Sequence, residues 1–146
     1  MERIMFTVEL PSPDEKLNWH DFRKELEEKV FKPLLAIVEA YGLGRFKWET
    51  TPGCIYHAQY HPNFESPEYD GSFWVGRILT ISRVDIHEYG RIAGEKTYRR
   101  SITLKEFLPE LVTFFARQAQ HKVETHCFLT EQEAQLTAFA ATAPIG

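Results

Sequence analysis

The feature that most restricts this chain is the spacing of its β-rich runs. From Arg45 to Ile102 they follow one another through connections too short to hold a crossover, so neighbouring strands must pair antiparallel. Arg45–Thr50 and Cys54–His61 flank Thr51-Pro52-Gly53. Pro-Gly at the two centre positions suits a type II turn, which makes these runs a hairpin. Phe73–His87 is the longest β-rich run, and Arg91–Ile102 supplies its partner through a turn at Tyr89-Gly90 or at Gly94-Glu95. One face of that run passes from Phe73, Val75, Leu79 and Ile81 to Arg83, Asp85 and His87. The strand is therefore expected to leave the core partway along, as a projecting hairpin arm. Met5–Leu10 alternates as a first strand stopped by Pro11 and Pro13, and Val123–Leu129 reads as a last one.

Between Trp19 and Tyr41 the period changes to that of a helix, with Phe22, Leu26, Val30, Leu34, Ile37 and Tyr41 on one stripe. Asn18 is placed as its N-cap and Gly42 as the residue that ends it. Pro33 lacks the backbone donor the ladder needs, which implies a kink or two abutting helices. Thr103 with Glu106 forms a capping box, stapled by Ile102 and Phe107. It opens an amphipathic helix through Leu104, Leu108, Leu111, Val112 and Phe115, bent at Pro109. Thr130 with Glu133 repeats the signature before a short Ala-rich helix ending near Thr142. The expected fold is one α+β domain over residues 1–146. It has a mainly antiparallel twisted sheet of about five or six strands and two to three helices packed on one face.

Composition narrows the function classes. At 146 residues the chain suits a single core that needs no disulfide or metal. No apolar run approaches the roughly 18 to 20 residues that span a bilayer, and the Met1–Glu9 start is too short and acidic for a signal peptide. Cys54 and Cys127 make neither a disulfide framework nor a C-x-x-C site, so a cytoplasmic protein is expected. A net charge of −4 opposes nonspecific binding to nucleic acid. Only residues 43–102 carry a basic surplus, gathered at Arg77, Arg83, Arg91, Lys96, Arg99 and Arg100. Trp48, Trp74 and Tyr98 near them invite comparison with sheets that stack bases, but no nucleic-acid motif accompanies them.

Two constellations carry candidate chemistry. The His61–Ser72 loop combines Glu65, Glu68 and Asp70 with Phe64 and Tyr69 and holds no Lys or Arg, a composition that suits a basic protein partner. The second set is His57, His61, Arg83, Asp85 and His87. In a strand, His57 and His61 stand about 13 Å apart, too far for one metal ion, so neither metal nor cofactor is expected. Asp85 and His87 share a strand face, where the carboxylate could tune the imidazole. Phosphate-binding, zinc-protease, nucleophile-elbow and deaminase motifs are absent from the sequence. The expected function is a small non-enzymatic protein-binding module, in one version an immunity-type inhibitor that neutralises a basic effector. The alternative is a small-ligand protein or enzyme with an aromatic-lined pocket, using His57 or the Asp85/His87 pair as acid and base. Homo-oligomers fit either reading.

Overall fold

A computed structural model describes Ile4 and residues 6–12, 18–64, 73–89 and 97–142, except for the side chains of 97–98 and 126–142. The apolar stripe after Asn18 folds as predicted: the Asn18 side chain accepts from the His20 N–H and opens helix α1, Trp19–Leu26. Glu27–Phe31 is a π-helical turn in which the Lys32 N–H reaches back to the Glu27 carbonyl, and α2, Lys32–Tyr41, continues to Gly42. The π turn sits directly before Pro33, where the missing donor breaks the ordinary ladder. Its wider turn brings Val30 and Phe31 inward together, and Val38 replaces the expected Ile37 and Tyr41 as the buried position beyond it.

Five strands follow as an antiparallel meander in sequence order: β1 Gly44–Glu49, β2 Tyr56–Pro62, β3 Trp74–Thr80, β4 Arg83–Tyr89 and β5 Thr97–Ile102. The first hairpin carries the predicted type II turn, with Gly53 at φ +81° and a 3.1 Å bond from the Cys54 N–H to the Thr51 carbonyl. Thr103 caps α3, Leu104–Thr142: its Oγ1 accepts from the Glu106 N–H and donates to the Glu106 carboxylate.

Three expectations are corrected. Phe73–His87 is not one strand that projects as an arm. It folds back at Ile81-Ser82 with a register shift near Thr80, so both halves lie within the sheet. No Gly, Pro, Asn or Asp marks that turn. Val123–Leu129 is not a strand, because α3 runs through it and through Thr130 to Thr142; a bond from Gln120 to Glu124 belongs to that helical continuation. Phe6–Leu10 forms no strand either. Its alternating residues Phe6 and Val8 pack on the core, while Ile4 is bonded to Gln120 on α3 and Glu9 to Lys29 in the π-helical turn. The segment is thus tied to helices instead of a sheet edge.

The sheet and helices share a core rich in rings. Phe31 stacks on Trp48 and meets Tyr56 edge-on, while Phe115 lies edge-on to Phe46 and Tyr60. Two hydroxyls tie the layers together. Tyr56 donates to the Arg23 carbonyl at 2.9 Å, and burial pushes its pKa up to about 12. Tyr60 donates to the Leu43 carbonyl at 2.8 Å. No described helix is long and apolar enough to cross a membrane.

Candidate functional site: the open sheet face

Strand alternation turns Phe46, Tyr56, Ala58, Tyr60, Trp74, Ile78, Val84 and Ile86 towards the helices. Their neighbours point to the other side, which no described helix covers. The register arranges them in cross-strand rows. One row holds Glu49, His57, Arg77, Asp85 and Ser101; the next holds Lys47, Gln59, Val75, His87 and Arg99. A third brings Arg45, His61, Phe73 and Tyr89 together.

This face is basic. Arg45, Lys47, Arg77, Arg83 and Arg99 stand against two carboxylates, Glu49 and Asp85. Arg83 is 3.2 Å from Asp85, which also accepts from the Ser101 hydroxyl at 2.7 Å. Arg77 donates to the Cys54 Sγ at 3.4 Å. Arg45, Lys47 and Arg99 make no ion pair or hydrogen bond among the described residues. On the helix side Lys29, Lys32 and Arg100 are each held by carboxylates. Arg23, Lys24 and Lys105 on the helices also lack an ion pair among the described residues, so what sets the sheet face apart is its balance of five cations against two carboxylates.

At one end of the face, His61 stacks on Phe73 with centroids 4.7 Å apart, and Phe73 stacks on Tyr89 at 4.3 Å. Both faces of the Phe73 ring are covered by this stack. The rings brace β2, β3 and β4 against one another, leaving only the outer faces of His61 and Tyr89 for another flat group.

Burial pushes both His57 and His61 below the ordinary histidine value. Arg45 and Lys47 add to this at His61, while at His57 the push from Arg77 is opposed by Glu49, 3.8 Å away. The hydrogen bond from Ser101, then Arg83, holds Asp85 below the usual carboxylate range. The depressed histidines favour the neutral folded form, so their stabilising contribution is present above about pH 6.5 and is lost as pH falls through their folded values. The melting temperature should therefore fall from pH 7 to pH 5. His61→Phe, which keeps the ring stack, should lessen that fall; an unchanged acid sensitivity would contradict the assignment. Asp85 extends the loss only into the more acidic carboxylate range.

All five residues of the predicted acid–base set, His57, His61, Arg83, Asp85 and His87, lie on this face. Among the described residues Asp85 accepts hydrogen bonds from Arg83 and Ser101, and none joins it to His87. Two clefts formed by described residues, one beside Trp19 and Arg23 and one beside Arg100 and Arg117, are lined by other side chains than His57, Asp85 and His87, and no described cluster of three His, Cys, Asp or Glu side chains could hold a metal. Of the predicted partner-binding loop, Phe64 packs beside His121 with Lys122 over its ring. Glu65, Glu68, Tyr69 and Asp70 lie outside the described residues, as do Arg91 and Lys96. Two of the three aromatics singled out near the basic region are misplaced, since Trp74 stacks on Phe107 and Trp48 on Phe31, both on the helix side, and the side chain of Tyr98 lies outside the described ones. Arg100 points that way too, towards Glu88 and Glu110. Sequence reading missed the contribution of Arg45, Lys47, Phe73 and Tyr89. Their odd-numbered positions, opposite the apolar even ones, were the signal.

The chain matches no protein-family model, no curated protein and no solved structure.

Proposed function

We propose that this chain is a binding protein whose open sheet face docks an acidic surface of another protein. One observation carries the reading: a chain with net charge −4 gathers five cations against two carboxylates on the sheet face that no described helix covers, and three of those cations lack a partner among the described residues. Segregation of this kind steers encounter and selects partners by charge sign. Lys47 and Arg99 lie on the two edge strands, about 19 Å apart across four strand spacings, a span wide enough for several acidic side chains. The ring stack favours a protein partner over a single-stranded nucleic acid, because its central ring offers no free face for a base. The acidic net charge points the same way. A basic effector would instead meet the Glu65–Asp70 loop, whereas the sheet face selects the opposite sign.

The test is fluorescence anisotropy with a labelled Asp/Glu-rich peptide, an oligothymidylate and an uncharged peptide. The acidic peptide should bind, weaken with salt, and lose about tenfold or more of its affinity in Lys47→Glu/Arg99→Glu, a change worth about 1.4 kcal/mol per decade. Equal affinity for wild type and variant would sink the proposal, as would tighter binding of the oligothymidylate on the same residues.

A further inference from the structure

A separate concavity lies where the first turn of α1 meets the β1–β2 loop and the end of β3. It is a cleft of about 560 Å³, in the size range of small-ligand sites. Trp19, Pro52, Ile55 and Leu79 give it apolar walls, and Arg23 supplies charge. The Arg23 guanidinium makes no ion pair or hydrogen bond among the described residues, and its Nε is buried without an acceptor. A guanidinium left in that state gains from any anion brought close to its fork. Trp19 is 39% exposed, one of two large hydrophobic side chains left so among the described residues, and an edge-on contact with Phe22 holds it at the cleft. Arg77, bonded to the Cys54 thiol in the cleft wall, brings a second cation behind it.

We propose that this cleft binds a small carboxylate carrying an apolar, ring-bearing body. The carboxylate pairs with Arg23, and the body lies against Trp19, Ile55 and Leu79. An inorganic anion would satisfy the guanidinium yet leave the Trp19 wall exposed; a neutral apolar molecule would do the reverse. The two halves of the site together select an amphiphilic acid.

The experiment titrates the ¹⁵N-labelled full chain with 4-phenylbutyrate, 4-phenylbutanol and acetate, following the Trp19 indole N–H. Phenylbutyrate should shift that signal saturably, with the alcohol and acetate each about tenfold weaker or more. In Arg23→Gln the acid should fall to the level of the alcohol while alcohol binding stays unchanged, and Arg23→Lys should lie between. Equal binding of acid and alcohol to the unmodified chain would overturn the proposal, with no variant required to fold. So would the lack of a saturable Trp19 shift, or full affinity for the acid in Arg23→Gln.

Discussion

Replacing Phe115 with alanine is expected to cost about 3–5 kcal/mol of stability, the range for a fully buried ring whose cavity cannot collapse. Phe115 is fully buried, with ring centroids 5.0 Å from Phe46, 4.9 Å from Tyr60 and 5.2 Å from Phe114. It therefore joins α3 to both β1 and β2, and its loss uncouples two strands from the helix that covers them. Domains of this size are stable by only about 5–15 kcal/mol, so the variant should unfold at a much lower urea concentration. Arg99→Ala, which removes an exposed side chain with no partner among the described residues, should stay within about 0.5 kcal/mol of wild type. A Phe115→Ala cost below about 1 kcal/mol would mean that α3 does not seal the core at this point.

Gly44→Ala should be nearly as damaging, at about 3 kcal/mol or more, because two independent costs add. Gly44 has φ +131°, a conformation that L side chains adopt only at a cost of about 1–3 kcal/mol. A Cβ there would also overlap the His61 carbonyl oxygen and come within 2.9 Å of the Pro62 Cα. Both are backbone atoms of β2 and have no rotamer in which to retreat. Relief would require β1 and β2 to separate at the point where Asn63 returns a hydrogen bond to Leu43. Urea denaturation measures the cost, and a loss of less than about 1 kcal/mol would contradict this packing of the helix-to-strand turn.

Local chemistry explains which parts of the fold could be read from the sequence. Asn18, the Pro52-Gly53 pair and the Thr103/Glu106 box each satisfy or direct backbone groups within a few residues, and each does so here. The Ile81-Ser82 turn escaped because Ser82 is a lone turn-favouring residue among the β-favouring Ile78, Thr80, Ile81 and Val84, and the reversal is set by pairing between β3 and β4. Val123–Leu129 misled for the converse reason: an established helix carries β-prone residues forward more readily than a new strand starts. The site was legible only in part. Alternation placed His57, His61, Arg83, Asp85 and His87 on strand faces, but whether such a face is covered depends on where the helices lie. The apparent basic cluster divides because Arg99 and Arg100 are adjacent in a strand and point to opposite sides.

The docking face is tested most directly by mapping the Asp/Glu-rich peptide onto the ¹⁵N-labelled protein. The expected shifts fall on the amides of Lys47, Gln59, His87 and Arg99, one row across the sheet, and disappear in Lys47→Glu/Arg99→Glu. Shifts confined to the helices, or none along that row, would contradict a sheet face built to receive an acidic partner.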